Sequence, residues 1–185
     1  MGMENKRLFI SLPLDPVLAK DISKKIQNLN LPGDKIKFIP EEQLHLTLKF
    51  LGDTPLQNIP ALIDVLENIE TNFEFLELEI EKTIIFNERQ PKILAISLKE
   101  NENLTRLYQE IEERLFDAGL AHKEIRNFRP HVTVARVKKS ADFSEFEDFL
   151  SWQIQKSFNC SHFDLQESSL SRLGPEYTVL QSFNL

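Results

Sequence analysis

Apolar residues along this chain fall into two rhythms, one of about 3.6 residues and one of two, and the rhythms alternate. Arg7 to Leu12 (RLFISL) predicts a strand rich in Phe and Ile. Asp15-Pro16 supplies a helix start, a capping carboxylate followed by Pro at the first helical position, and Leu18, Ile22, Ile26 and Leu29 carry that helix to about Asn30. A Pro32-Gly33 turn leads to a short strand at Ile36 to Ile39. His45 to Leu51 (HLTLKFL) alternates and predicts a strand ended by Gly52-Asp53. Leu62, Val65, Leu66 and Ile69 mark a second helix, Phe73 to Phe86 a long strand with alternating Glu, and Lys92 to Leu98 a further strand. Leu104, Leu107, Tyr108, Ile111 and Leu115 make the clearest helical stripe, with Gly119 as its cap. His131 to Val137 (HVTVARV) predicts a strand and Phe143 to Trp152 a short helix. Phe158 to Leu173 and Tyr177 to Phe183 close the chain as two strands joined by a Gly174-Pro175 turn.

The elements repeat. Ile10-Ser11-Leu12 recurs as Ile96-Ser97-Leu98, a shift of 96 − 10 = 86 residues, and His45-Leu46-Thr47-Leu48 recurs as His131-Val132-Thr133-Val134, a shift of 131 − 45 = 86. Two motifs in one register, inside matching strand and helix patterns, point to an internal duplication. The expectation is a single domain over residues 1–185, α+β and bilobal. Its two pseudo-symmetric lobes cover about 1–86 and 87–185, each with an antiparallel sheet and helices outside, and an active-site cleft lies between them.

Composition narrows the function classes. The 185 residues suit one domain with a full core. Acids outnumber bases 29 to 22, for a net charge of −7. That argues against a long, sequence-blind grip on a nucleic-acid backbone, though not against a small phosphate pocket. Cys160 is the one cysteine, so there is no intrachain disulfide and no cysteine-based zinc cluster. The apolar patch Leu8 to Leu14 is broken by Pro13, Asp15 and Pro16, and no run reaches the ~20 residues of a membrane span. No membrane association and a cytoplasmic location are expected, and Met1-Gly2-Met3 reads as a scar ahead of a native Met3.

The chemistry sits on the repeated strands. Alternate strand residues share a face, so His45 points with Thr47 and His131 with Thr133, while Leu46, Leu48, Val132 and Val134 point into the core. A two-fold would bring both pairs to one cleft with two imidazoles and two hydroxyls. One imidazole can take a proton while the other gives one near neutral pH. In an in-line displacement at phosphorus the attacking and leaving oxygens lie on opposite sides, one for each His, and the hydroxyls can donate to the non-bridging oxygens. A lone His-x-Thr is more often a hydrogen-bonded structural His; two copies in one register are not. A zinc site on His45 and His131 lacks a third ligand at a telling spacing. No Gly-x-Ser-x-Gly elbow and no Gly-rich phosphate loop is present. His122 and His162 lie outside the repeated motifs and read as surface residues.

His45 to Gly52 (HLTLKFLG) and Arg129 to Arg136 (RPHVTVAR) resemble the paired signature motifs of the 2H phosphoesterase superfamily, and within it those of the RNA 2′,3′-cyclic phosphodiesterases, also called 2′-5′ RNA ligases. The opening Arg7-Leu8-Phe9-Ile10 and the closing Leu173-Gly174-Pro175-Glu176-Tyr177 also fit, so the likeness spans nearly the whole chain. Val134 stands where Leu is usual, a core-facing change. The resemblance implies hydrolysis of a terminal 2′,3′-cyclic phosphate on RNA or a nucleoside to a 2′-phosphate, with no metal, no cofactor and no obligatory protein partner. It implies His45 as the general acid toward the departing 3′-oxygen, His131 as the general base on water, and Thr47 and Thr133 as donors to the phosphate oxygens. A ribose 5′-hydroxyl in place of water gives 2′-5′ ligation, the reverse reaction; a small cyclic-nucleotide phosphodiesterase and a non-catalytic RNA-end binder are the further alternatives.

Arg136 is a phosphate-contact candidate with a parity conflict. Five residues from His131 is an odd spacing, so Arg136 reaches the catalytic face only through a bulge near Ala135 or around the strand end. Arg129 is a second cationic candidate. Phe9, Phe38, Phe50, Phe128 and Tyr177 lie in or beside the motifs as candidate base-stacking rings, unranked.

Overall fold

The computed structural model of the chain describes residues 4–69, 71, 74–171 and 174–185. The tripeptide Met1-Gly2-Met3, Phe73 and Leu173 lie outside the described residues. The elements follow as β1 (Asn5–Pro13), α1 (Pro16–Gln27), β2 (Ile36–Phe38), β3 (His45–Pro55), α2 (Ile59–Glu67), β4 (Leu76–Phe86), β5 (Ile93–Leu98), α3 (Glu102–Asp117), β6 (His131–Val137), α4 (Glu147–Leu150), β7 (Ser157–Cys160), β8 (His162–Ser171) and β9 (Gly174–Asn184).

Local chemistry sets the helix ends. Asp15 caps α1 by accepting from the Leu18 N–H at 2.9 Å, and Asn101 caps α3 by accepting from Leu104 at the same distance. The end of α3 is a Schellman motif: Gly119, at φ 68°, donates to Phe116 and Leu120 donates to Leu115. Leu18, Ile22 and Ile26 of α1 and Leu104, Leu107, Ile111 and Leu115 of α3 are buried in the same core as Leu46, Leu48, Val132 and Val134. Each such Leu or Ile contributes about 1.5–3 kcal/mol by leaving water.

Strand pairing is antiparallel throughout, in the order β7-β4-β5-β6-β3-β1-β8-β9, with β2 added beside β6. Where the sequence suggests one sheet per half-chain, pairing runs on through the middle. It does so at a single register pair, Leu46 with Val132. These two residues are one repeat apart, 132 − 46 = 86, as a pseudo-two-fold passing between them requires.

The duplication is deeper than the two motifs. The starts of α1 and α3 differ by 102 − 16 = 86, and those of β4 and β8 by 162 − 76 = 86. The sheet does not divide at residue 86, however. Strand β4 of the first repeat pairs with β5 of the second, and its counterpart β8 in the second pairs with β1 of the first. Each half of the sheet is therefore built from both halves of the chain.

Some element boundaries differ from the sequence reading. Strand β3 continues through Gly52-Asp53 to Pro55, because Leu51 is an extra residue between the pairs Phe9–Phe50 and Leu8–Gly52. Gly52 takes a left-handed φ of 71° there, so the strand bends without ending. The strand expected over Phe158 to Leu173 breaks at Ser161 into β7, which pairs with β4, and β8, which pairs with β1. Gly174-Pro175 belongs to β9, opposite Ser171 and Leu170. Among the described residues no helix is long and apolar enough to cross a membrane.

Candidate active site

The face of β3 and β6 turned away from the core carries His45, Thr47, His131 and Thr133. Both strands show the same order of exposure, a half-buried His and Thr flanking a buried Leu or Val, because alternate residues face opposite sides. The antiparallel direction about the Leu46–Val132 pair turns His45 and Thr133 to one end of the contact and Thr47 and His131 to the other. All four line one cleft of about 420 Å³, within the size range of small-ligand sites. Arg7, Phe9, Gln43, Phe50, Arg136 and Tyr177 also border it.

A bulge brings Arg136 to that cleft. Thr133 pairs with Ala95 and Ala135 with Leu94, so Val134 is an extra residue on β6. One extra residue reverses the alternation. Val134 and Ala135 are both buried, and Arg136 emerges on the side of His131 and Thr133. The same device recurs one repeat earlier: Ser11 pairs with Thr47 and Ile10 with Lys49, leaving Leu48 as the extra residue. Phe50 emerges there in place of an arginine.

Both imidazoles are clamped alike. His45 Nδ1 lies 2.7 Å from the Gln43 carbonyl, and His131 Nδ1 lies 2.7 Å from the Arg129 carbonyl. A carbonyl only accepts, so each Nδ1 carries the proton. The neutral rings therefore keep Nε2 free to take one. Gln43 and Arg129 are again one repeat apart, 129 − 43 = 86. His45 Nε2 lies 3.1 Å from Thr47 Oγ1. The His45 ring packs against Phe9 at 5.0 Å and edge-on to Tyr177 at 5.3 Å, and His131 against Phe86 at 4.7 Å.

Burial pushes the His45 imidazole below its ordinary value; the Gln43 carbonyl opposes this, while the charges of Arg136 and His131 add to it. Burial also pushes His131 down, against the opposing effect of the Arg129 carbonyl. Each ring resists protonation. An anion bound between them would favour the charged forms.

The structure thus gathers His45, Thr47, His131, Thr133 and Arg136 at one cleft. The exposed Arg129 contributes its carbonyl, and its side chain is not among the cleft-lining residues described. His122 is exposed, while the ring of the half-buried His162 lies 3.8 Å from Asp164. The aromatic candidates separate: Phe38 is half-buried and Phe128 stacks on Tyr108 at 4.1 Å, while Phe9, itself buried, borders the cleft with Phe50 and Tyr177. Arg7 was legible only as part of the opening motif, since nothing in its strand marks it as a cleft residue.

Comparison with known proteins agrees in family and fold. The model of the 2′-5′ RNA ligase superfamily matches residues 15–172. The RNA 2′,3′-cyclic phosphodiesterase of Methanocaldococcus jannaschii is 26% identical over 96% of this chain and 99% of its own. The protein of the same name from Aquifex aeolicus is 30% identical over 91% and 89%. The crystal structure of TT0787 from Thermus thermophilus superposes with a TM-score of 0.83 at 26% identity, covering 97% of both chains. E. coli LigT complexed with 3′-AMP shares the fold, with a TM-score of 0.80 at 21% identity, over 98% of this chain and 99% of its own.

Proposed function

This chain belongs to the 2′-5′ RNA ligase superfamily, and we propose that it hydrolyses terminal 2′,3′-cyclic phosphates to 2′-phosphates with two histidines and no metal. Water enters in line with the ribose 3′-oxygen. His131 Nε2 takes a proton from the water as its oxygen bonds to phosphorus. The bond from phosphorus to the 3′-oxygen breaks, and protonated His45 delivers a proton to that oxygen. The 2′-ester bond survives, leaving a 2′-phosphate and a 3′-hydroxyl. The Thr47 and Thr133 hydroxyls and the Arg136 guanidinium hold the non-bridging oxygens, where charge builds in the transition state.

The matched pair of Nδ1–carbonyl hydrogen bonds carries this reading. It presents two Nε2 atoms of one tautomer to one cleft, which proton donation and proton acceptance both require and a passive binder does not. The names of the relatives from Methanocaldococcus jannaschii and Aquifex aeolicus support the substrate class. RNA ends and small nucleoside cyclic phosphates are the expected substrates. A 5′-hydroxyl taking the place of water would give a 2′-5′ linkage in the same site.

The test is incubation of the purified chain with a short RNA ending in a 2′,3′-cyclic phosphate, with excess EDTA, and identification of the product. A 2′-phosphate formed at undiminished rate is expected. A 3′-phosphate, or activity lost in EDTA and restored by one divalent metal, contradicts the mechanism.

A further inference from the structure

The chain approaches its two histidines in different ways. In the first repeat the approach is strand β2, whose Phe38 pairs with Ala135 of β6, and the Ile39 N–H then donates to the Val134 carbonyl at 2.9 Å. The interval of 86 puts residues 122–124 at that position in the second repeat, 122 − 36 = 86, and no strand forms there. Ile36 is buried and Phe38 half-buried, whereas His122, Lys123 and Glu124 are all exposed, so this segment has no apolar face to lay on the core. Among the described residues, 122–129 make no main-chain to main-chain hydrogen bond. A coil without such bonds is free to open. Yet this one ends at Arg129, whose carbonyl holds His131 Nδ1.

Side chains hold the segment instead. Lys49 Nζ donates to the His122 carbonyl at 2.6 Å, and the Glu124 N–H donates to Glu112 at 2.9 Å. Lys49 and Glu112 are paired with each other and both are buried. One turn earlier on α3, Tyr108 stacks on Phe128 with ring centroids 4.1 Å apart and planes 8° from parallel. Phe128 is the residue before Arg129. The Leu98 N–H closes the far end by donating to the Pro130 carbonyl at 3.1 Å. Lys49 is the repeat counterpart of Ala135, 135 − 49 = 86, the residue to which Phe38 of β2 is paired. In one repeat that position holds the approach through its backbone, and in the other through its side chain.

We propose that Tyr108 and Glu112 of α3, together with Lys49, are positioning residues for His131, holding residues 122–129 so that the Arg129 carbonyl stays on Nδ1 and Nε2 stays free. None of the three is a cleft-lining residue. They act through the carbonyl, whose hydrogen bond selects the tautomer of the ring. His45 needs no such set, because the segment before it is tied by the main-chain pairing of β2. The proposal rests on the role given to His131 above, but its first readout requires no turnover.

The test reads the tautomers from the nitrogen NMR shifts of the imidazoles, well above the imidazole range so that both rings are neutral. Wild type should show the Nδ1–H form at His45 and at His131. In Tyr108→Leu, and separately in Lys49→Met with Glu112→Leu, His131 should become a mixture of tautomers while His45 keeps its own. With adenosine 2′,3′-cyclic phosphate as substrate, kcat should fall in both by up to about 10²-fold, the cost of a small misplacement, with KM little changed. Tyr108→Phe keeps the stacked ring and should match wild type in both readouts. Circular dichroism shows whether each variant is folded, and Tyr108→Leu decides alone if the double variant is not. A folded variant whose His131 keeps the Nδ1–H form, or in which both histidines change alike, overturns the proposal. A wild type that cleaves nothing contradicts the activity itself, and the NMR comparison still decides the positioning.

Discussion

Lys49 and Glu112 face each other inside the protein, Nζ to Oε1 at 2.6 Å, with both side chains under 10% exposed. Lys49 Nζ also donates to the His122 carbonyl at 2.6 Å. The other carboxylate oxygen accepts from the Glu124 N–H at 2.9 Å. One ion pair therefore ties β3, α3 and the segment leading to Arg129. Lys49→Met leaves a buried carboxylate without its cation, and the expected cost is about 3–5 kcal/mol. That is roughly 6 to 20 °C in Tm for a chain of this size. Lys49→Met with Glu112→Leu should recover most of the loss, because a well-packed apolar pair often matches a buried ion pair. Thermal melts of the three proteins decide it; a double variant no more stable than Lys49→Met contradicts this account.

His45→Ala and His131→Ala should each lower kcat/KM by about 10²–10⁴-fold, the usual worth of a general acid or base. The double variant should lose less than the product, since the two act as a unit. Thr47→Ala and Thr133→Ala should cost less and keep the wild-type pH profile. Either His variant retaining more than about a tenth of wild-type activity rules out its role.

The pH profile of kcat/KM should be bell-shaped, with its maximum below the ordinary imidazole value of about 6.5, because burial lowers both rings. The alkaline limb belongs to His45, which must hold a proton. The acid limb belongs to His131, which must lack one. Arg136→Gln removes a charge that pushes His45 down, so its alkaline limb should move to higher pH. A limb that stays in place shows that Arg136 and His45 are not coupled.

The same shifts tie stability to pH. An imidazole whose folded value lies below its unfolded value binds more protons when unfolded. Stability is then full above about 6.5 and falls as pH drops toward the folded value. The ligand-free protein should lose Tm between about pH 7 and 5, and a His45→Gln, His131→Gln variant should lose less over that interval. Equal slopes in the two proteins speak against neutral buried rings.

Salt should weaken binding of a short RNA 2′-phosphate only gently. Arg7 and Arg136 are the arginines bordering the cleft, and the chain carries −7 overall. A slope of log affinity against log salt equivalent to more than about three phosphates contradicts a local anion site.

The face carrying His45, Thr47, His131 and Thr133 was readable in the sequence because strand alternation needs only two residues to separate His from core. The interval of 86 was readable because it recurs in two short matching strings, and it extends to α1 with α3 and β4 with β8. The bulge was legible only as a contradiction. Five residues from His131 to Arg136 did not fit a regular strand, and which residue is extra depends on the register against β5. Strand partners were not legible at all. Nothing in Leu76–Phe86 distinguishes β5 from a strand of its own half, since that choice is made by packing across the two-fold. Lys49 escaped notice because its alternation places a cation where its counterpart, Ala135, is simply buried, and only Glu112 on a distant helix explains it.

The reciprocal exchange of β4 and β8 bears on how the chain is made. Leu8 of β1 waits for Glu167 of β8, 167 − 8 = 159 residues later, before its second edge is covered. As the polypeptide leaves the ribosome, β1 and β3 can pair, but their outer edge stays open until nearly all of the chain has been synthesised. Pairings of such long sequence separation are slow to close, and open edges invite association with other nascent chains. The duplicated halves are therefore not a pair of independent folding units. A ribosome halted after the first repeat would hold β1 with its second edge uncovered.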